Sequence, residues 1–298
     1  LTEKRKLNGV VRDLSSESRY PSLAHYIRKL FVVSDNAANN RLYEFLGRDH
    51  INKRLWDLGY EKTRIRHRLS IVLDEELNRY TNPFIFYDND RIVYKQPRQI
   101  ARVELDYSFD DHLIGSYHYS NGKKEDGPID FSAKNFMNLH EQHEFMKQVI
   151  FPEIVPKKNQ LDLSDEDYNL LYREMSILPR QSKHPEYIDY DSYYDGYCKF
   201  FMYGDTKDRI PEHIKIFNKV GLAYGFLLDN AYIIDIKNNV EFILTAVVYH
   251  NDNETMNDDK YEYDDITIPF LAELGRKIYD NELARDKKHL PDFERFIN

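Results

Sequence analysis

The chain has 298 residues, a formal net charge of −9, 41% hydrophobic residues and 31% charged residues. That length suits one large domain or two modest ones, and the acidic balance excludes a nucleic-acid binder, which needs clustered Lys and Arg. Cys198 is the single cysteine, which excludes a disulfide framework and a cysteine metal site. No apolar run reaches the roughly 18–20 residues that cross a bilayer, so we expect no membrane span.

Two helices are predicted near the start of the chain. Apolar residues recur at helical spacing over 21–33 and again over 36–47, where Gly47 ends the second pattern. Three polar residues, Ser34-Asp35-Asn36, separate the two helices. Ser34 or Asp35 is therefore a candidate cap for the second helix.

The middle of the chain predicts a strand-rich stretch followed by helices. Thr81-Asn82-Pro83 marks a loop, and Asn121-Gly122 favours a hairpin turn. Helices are predicted over 132–150 and from Ser164 onwards. Alternation over 91–120 predicts strands, with one face formed by Val103, Leu105, Tyr107 and Phe109.

The last third predicts an antiparallel sheet covered by a helix. Strands are expected over 214–220, 231–236 and 240–249, and Lys237-Asn238-Asn239 joins the last two as a hairpin. The Tyr-rich stretch 187–203 has no clear period, and its tyrosines are expected to pack a loop onto the body. The final helix is predicted from Asp265, with an inward face of Ile266, Phe270, Leu274 and Ile278.

Two motifs carry a family resemblance. Ser34-Asp35-Asn36, followed by Ala-Ala-Asn-Asn, matches the SDN motif and the helix after it in class A β-lactamases. Lys219-Val220-Gly221 resembles the KTG motif on the edge strand of the same enzymes, with Val in place of Thr or Ser. Over most of residues 15–85 and 131–285 the chain resembles the β-lactamase-like and penicillin-binding serine hydrolase superfamily. That resemblance implies an α+β fold in which helices flank an antiparallel sheet beside an all-α subdomain.

The resemblance implies roles for the first motif. Ser34 would pass a proton to the leaving nitrogen of the substrate. Asn36 would hold the side-chain amide of the substrate and the catalytic lysine, and Asp35 would have a structural role in fixing the loop. A plain helix cap at Ser34 to Asn36 is the alternative interpretation.

It also implies roles for the second motif. Lys219 would supply positive potential facing both Ser34 and the substrate carboxylate. Gly221 would let the substrate lie against the edge strand. Val220 stands at a substrate-binding position but lacks the hydroxyl that normally binds the carboxylate. An ordinary surface lysine on an edge strand is the alternative for Lys219.

The family's nucleophile, the serine of an S-x-x-K motif, has no counterpart ahead of Ser34. The spacing occurs once, at Ser120 and Lys123, where a hairpin turn replaces the helical turn that the motif needs. The nucleophile helix and the N-terminal strands of the sheet are therefore expected upstream of Leu1. This chain alone is expected to be inactive, and that missing segment is a candidate partner.

Asp74-Glu75-Glu76-Leu77-Asn78 is similar to the E-x-x-L-N pattern of the family's omega loop, whose glutamate serves deacylation. The register places Asp74 at that glutamate, and Glu75 and Glu76 are candidate substitutes. A solvated acidic turn is the alternative.

No metal or cofactor is predicted. His140 and His143 are three apart, whereas the zinc motif H-E-x-x-H has histidines four apart. The acidic run 251–265 lacks the central Gly and the terminal Glu of a calcium loop, which favours a mobile connection between strand and helix.

Four segments follow from these predictions: a helical subdomain with the SDN loop (1–85), a strand-rich insertion (86–130), a helical region with the Tyr-rich loop (131–205), and the sheet with its C-terminal helix (206–298). The resemblance implies an acyl-serine hydrolase of the periplasm or cell envelope, acting on a small-molecule or peptidoglycan-like substrate. A binding module that has lost its nucleophile and an unrelated α/β protein with chance motifs are the alternatives.

Overall fold

The structure is a computed structural model that describes residues 9–106 and 110–297. Its main sheet is antiparallel in the order β7-β8-β9, formed by β7 (Ile214–Ala223), β8 (Phe226–Asp235) and β9 (Val240–Tyr249). The first two strands extend beyond the predicted bounds, because pairing continues to a two-residue turn between Ala223 and Phe226. The predicted antiparallel sheet and the α+β class are confirmed.

Helices cover both faces of this sheet. On one face Ile216, Leu227 and Ile233 pack against the final helix α8 (Ile268–Ala284) and against Phe201. On the other face Phe217, Tyr232 and Ile234 pack against α5 (Leu139–Ile150) and α6 (Asp165–Ser176). The period-2 alternation of the strands therefore builds two separate cores.

The first helices form a layer beside α6. They are α1 (Leu23–Val32), α2 (Asn36–Leu46), α3 (Arg48–Asp57) and the single turn α4 (Glu75–Asn78). Arg28 of α1 bonds both carboxylate oxygens of the buried Glu174 on α6, each at 2.8 Å. This bidentate pair joins the helical layer to the helices that cover the sheet.

The remaining strands are short. A hairpin joins β1 (Phe84–Asp88) to β2 (Arg91–Gln96), and another joins β4 (Tyr117–Ser120) to β5 (Lys123–Asp126) through the predicted Asn121-Gly122 turn. β3 (Leu113–Ile114) pairs with β6 (Ile129–Asp130), and β10 (Thr255–Met256) adds to β4 in parallel. Single turns complete the chain: Pro152–Ile154, Lys157–Asn159, Pro179–Gln181, Asp195–Cys198, the kinked α7 (Phe200–Tyr203) and Glu294–Phe296.

Two predicted elements differ in the middle of the chain. The helix expected over 132–150 begins only at Leu139, where the Asn138 side chain accepts a hydrogen bond from the backbone of His140 and caps it. Residues 101–106 form no strand, because their backbone is held by side chains such as Asp49, which accepts from Arg102 and Val103. Tyr107 and Phe109 lie outside the described residues.

The inward face of the last helix was predicted wrongly in part: Leu274 packs against the core as expected, but two of the other predicted residues are exposed. Ile266 and Phe270 are 39% and 54% exposed, while Ile268, Leu271 and Ala272 are buried. A π-helical turn over Tyr263–Thr267 precedes α8 and adds residues before the regular period begins, which shifts the buried face. Within the described residues, no helix is both long and apolar enough to cross a membrane.

Gly275 sets how closely α8 approaches the α7 turn. A Cβ at this position would lie 2.7 Å from the backbone nitrogen of Met202 and 2.9 Å from Cβ of Phe201. Gly275→Ala is expected to destabilise the fold by about 1–3 kcal/mol through overpacking, despite the better helix propensity of Ala. Urea denaturation followed by circular dichroism measures this. Asn281→Ala, at an exposed position of the same helix, should leave the midpoint unchanged or raise it slightly.

Candidate functional site

Ser34 and Lys219 meet although 185 residues separate them. Nζ of Lys219 donates to Oγ of Ser34 at 2.8 Å and to the carbonyl of Val220 at 2.7 Å. Ser34 sits between α1 and α2 with a positive φ of 54°, and the next amide, of Asp35, donates back to the carbonyl of Lys29 in α1. The tight linker between the two helices therefore aims the hydroxyl at the edge of the sheet.

The phase of β7 points Lys219 toward the helical layer. Phe217, two residues earlier, is fully buried against α6, so Lys219 projects from the same face of the sheet. β7 is an edge strand, and its only strand partner among the described residues is β8, where Lys219 pairs with Asn230. The lysine thus stands on the rim of the sheet that faces the α1–α2 linker.

The ammonium group of Lys219 is largely removed from water. This desolvation lowers its pKa, while the nearby Cys198 and Asp229 act in the opposite direction. The Cys198 thiol is itself buried, and burial raises its pKa to about 11, so it is a thiol at neutral pH. The ammonium group of Lys219 therefore places positive charge beside the Ser34 hydroxyl.

The rest of the first motif holds the loop. Asp35 caps α2 by accepting from the amide of Ala38 at 2.8 Å, and it pairs with Lys29 at 3.2 Å. The cap therefore belongs to Asp35, which leaves the Ser34 hydroxyl free to bond Lys219. Asn36 is exposed at the start of α2, and its side-chain amide donates to Oγ of Ser70 at 2.8 Å.

Val220 points into the core, whereas Gly221 leaves open space beside the strand. The Val220 side chain is 8% exposed and packs in the core with Ile216. Gly221 is half-buried, and a Cβ built on it would have Cβ of Leu228 as its nearest neighbour, at 3.9 Å. Packing within the protein therefore does not require glycine there, and the space beside Gly221 is open.

The acidic turn at 74–76 is tied to its own surroundings. Asp74 caps α4 by accepting from the amide of Leu77 at 2.7 Å. Glu75 pairs with Arg48 at 3.3 Å and with Arg79 at 3.5 Å, and Glu76 is exposed. The segment that leads into this turn is fixed to α2, because Asn40 exchanges hydrogen bonds with the backbone of Leu69.

A buried polar network behind β7 was not predicted. Nζ of Lys199 donates to Oδ1 of Asn218 at 2.6 Å, and Nδ2 of Asn218 donates to Asp229 at 2.8 Å. Asp229 also accepts the backbone amides of Phe200 and Phe201. Burial lowers the pKa of Lys199 and raises that of Asp229. The signal in the sequence is Asn218 itself, a polar residue in phase with Ile214, Ile216 and Val220 on a core face.

The Tyr-rich segment is packed through contacts between its aromatic rings. Tyr187, Tyr193 and Tyr197 form a chain of rings with centroids 4.9 and 5.3 Å apart, and all three are half-buried. Burial raises the pKa of Tyr187, and the Asp35 carboxylate adds to that effect. The tyrosines hold the loop onto the body, as expected.

One protein-family model matches more than half of the chain. Residues 2–165, more than half of the 298, match the Beta-lactamase enzyme family, whose members are usually secreted or associated with the cell envelope. No curated protein matches the chain. The matched residues include Ser34 to Asn36 and the segment that buttresses α2. The chain therefore belongs to the Beta-lactamase enzyme family and is a member of the serine hydrolase superfamily.

Proposed function

We propose that this protein is a serine hydrolase that cleaves amide or lactam bonds through an acyl-enzyme, with Ser34 and Lys219 as catalytic residues. The 2.8 Å hydrogen bond from Nζ of Lys219 to Oγ of Ser34 is the observation that carries the proposal. An acyl transfer needs a proton route to the leaving nitrogen and a cationic anchor for the substrate. This pair offers both in one place.

The direction of that hydrogen bond suggests how the proton moves. Because the ammonium of Lys219 donates to Oγ, the hydrogen of the Ser34 hydroxyl is left to point elsewhere. When the C–N bond of the substrate breaks, Ser34 gives this proton to the nitrogen, and the nearby ammonium stabilises the developing alkoxide. The proton released by the attacking hydroxyl returns to Ser34, so the pair is unchanged after acylation.

The surrounding residues suggest an anionic substrate with an amide side chain. Lys219 attracts the carboxylate, and the exposed Asn36 offers an amide group to the substrate side chain. The backbone beside Gly221 is open to an extended substrate. Val220 provides no hydroxyl for the carboxylate, so charge alone holds it and binding is expected to be weaker than with Thr. Small lactams and peptidoglycan-like peptides have this chemistry.

We propose that the nucleophile belongs to an S-x-x-K segment encoded ahead of Leu1 and that this segment also completes the sheet. The whole protein is proposed to act in the periplasm or cell envelope. Asp74, Glu75 and Glu76 remain the candidates for deacylation. The contacts of Asp74 with the α4 backbone and of Glu75 with Arg48 support slow deacylation, because both carboxylates are already engaged. The acyl-enzyme is therefore expected to be long-lived.

We further propose the division into four segments at 85, 130 and 205, with 86–130 influencing substrate choice. The pairing of β4 with β10 supports this, because it sets the insertion against the loop that follows β9. That loop lies beyond the same end of the sheet as Gly221.

The test is acylation by a fluorescent penicillin of the complete gene product, beside the 298-residue chain. A covalent adduct on the complete product is expected, and Ser34→Ala should slow its formation by about 10²–10³-fold through loss of the proton donor. Ser18→Ala, at an exposed serine outside the proposed site and outside 86–130, is the control and should leave the rate unchanged. Adduct formation at the same rate in Ser34→Ala would remove Ser34 from the mechanism.

A non-catalytic binding module is the second candidate. It is favoured by the buried Val220 and by the hairpin turn that separates Ser120 from Lys123, the one S-x-x-K spacing in the chain. It predicts saturable penicillin binding without a covalent adduct, even on the complete gene product at saturating probe. Mass spectrometry of the intact protein after incubation separates the two functions.

A further inference from the structure

The loop after β9 holds a cluster of metal-ligating side chains outside the site described above. Nε2 of His250 lies 2.8 Å from Oδ1 of Asp252 and 3.9 Å from Oε2 of Glu262. One ligand atom from each residue lies within 4.8 Å of the others, and no other such group occurs among residues 9–106 and 110–297. Ligand atoms around a tetrahedral Zn²⁺ are about 3.3 Å apart, given bonds of about 2.0–2.1 Å. The observed separations bracket that value.

Backbone contacts hold two of these residues in place. The amide of His250 donates to the carbonyl of Gly225 at 3.0 Å, and the amide of Gly225 donates to the hydroxyl of Tyr263, which follows Glu262, at 2.8 Å. The amide of Asp252 donates to Oε2 of Glu262 at 3.2 Å. Both ends of the loop are thereby tied to the turn between β7 and β8, which preorganises the cluster.

A further oxygen donor lies in the same loop. Asn251, between His250 and Asp252, is 8% exposed, and its Oδ1 is the one buried side-chain carbonyl oxygen without a hydrogen-bond partner in the described part of the chain. Buried carbonyl oxygens are almost always bonded, so an unpartnered one offers a position for a further ligand or a water molecule. The ligand side chains remain partly open to solvent, which leaves positions for water.

We propose that this loop binds one divalent transition-metal ion of the Zn²⁺ type through His250, Asp252 and Glu262. One imidazole and two carboxylates suit Zn²⁺, Co²⁺ or Mn²⁺, whereas Ca²⁺ takes six to eight oxygens and has no use for the imidazole. The ion fixes the loop that carries β10. This loop is joined to β4 by strand pairing and by a hydrogen bond in which the amide of Ser116 donates to the carbonyl of Glu254 at 2.9 Å. Its role is structural and does not depend on the proposed hydrolase activity.

Calorimetric titration of the metal-free chain with ZnCl₂ tests this. One saturable site is expected, and His250→Ala, Asp252→Asn and Glu262→Gln should each weaken binding by at least about tenfold. Co²⁺ should give visible absorption bands that His250→Ala abolishes. His118→Ala is the matched control, because His118 is also half-buried beside a carboxylate, Glu125 at 3.7 Å, and should bind Zn²⁺ like the parent.

Thermal unfolding in EDTA checks that the variants fold, and the near-isosteric Glu262→Gln guards against a misfolded His250→Ala. Loss of Zn²⁺ affinity in all three variants with unchanged unfolding in EDTA supports the site. Absence of saturable Zn²⁺ binding, or unchanged affinity in His250→Ala and Glu262→Gln, overturns it. Equal affinity for Mg²⁺ or Ca²⁺ would also overturn the assignment to a transition metal.

Discussion

Lys219→Met is expected to slow acylation of the complete gene product by a fluorescent penicillin by about 10²–10³-fold. The substitution keeps the length of the side chain but removes the only group that the structure shows donating to Oγ of Ser34 in the described residues. It also removes the cation facing the substrate carboxylate, so both the rate constant and the affinity should fall. If the protein is instead a binding module, Lys219→Met should raise the dissociation constant for penicillin.

Lys215→Met is the matched control, because Lys215 lies on the same face of β7, four residues before Lys219, and is half-buried. It should leave acylation unchanged. Equal rates for the parent and Lys219→Met would remove Lys219 from the site, and equal losses in both variants would indicate a general effect of charge.

The pH dependence of acylation provides a second readout for Lys219. Burial lowers the pKa of this ammonium, so its charge is lost at a lower pH than in an exposed lysine. The rate of acylation should therefore be at its maximum at neutral pH, where Lys219 is charged. It should fall as pH rises through the lowered pKa of Lys219. Lys219→Arg should shift this alkaline loss upwards, because a guanidinium stays charged. An alkaline limb at the same pH in Lys219→Arg would contradict the assignment.

The meeting of Ser34 and Lys219 could be predicted because each residue belongs to a short motif with a known partner. The Asp35 cap followed from local sequence as well, since Asp before a helix commonly bonds the third amide. Lys199, Asn218 and Asp229 could not be paired in advance. Strand alternation places Asn218 on the core side of β7, but it does not identify the partners of Asn218, which lie 19 residues before it (Lys199) and 11 residues after it (Asp229).

The sequence did not predict α3, because polar residues replace the apolar pattern there. The buried residues of α3 are Arg48 and Asn52, which hydrophobic periodicity cannot detect. The burial of such groups is decided by long-range partners: Asn52 bonds the backbone of Ile65 in both directions, at 2.8 Å each. The same reason explains why the fully buried ion pair between Glu44 and Arg68 was not predicted.

Glu44→Gln is expected to lower the free energy of unfolding by about 3–5 kcal/mol, the cost of breaking a fully buried ion pair. Both side chains are inaccessible to solvent, and Oε1 of Glu44 accepts from Arg68 at 2.6 and 2.9 Å. The other oxygen accepts from the side chain of Asn82 at 2.9 Å. An amide in place of the carboxylate leaves the Arg68 guanidinium buried without its counter-charge, and it loses an acceptor for Asn82. Urea denaturation followed by circular dichroism measures the change.

Glu104→Gln provides the matched control, because Glu104 makes a similar two-pronged pair with Arg79, at 2.8 and 2.9 Å, but its side chain is 78% exposed. Solvent screens that pair, so the midpoint should hardly move. The double variant Glu44→Leu with Arg68→Met removes both charges and should recover part of the stability lost in Glu44→Gln, because no uncompensated charge is left. The recovery is incomplete because Arg68 also bonds Asn78 and the carbonyl of Tyr80. If Glu44→Gln and Glu104→Gln had equal midpoints, burial would not be what makes the Glu44 pair important.

Since Arg68 also anchors the segment between Asn36 and the acidic turn, through Asn78 and the carbonyl of Tyr80, loss of Glu44 should loosen Ser70 and the support it gives to Asn36.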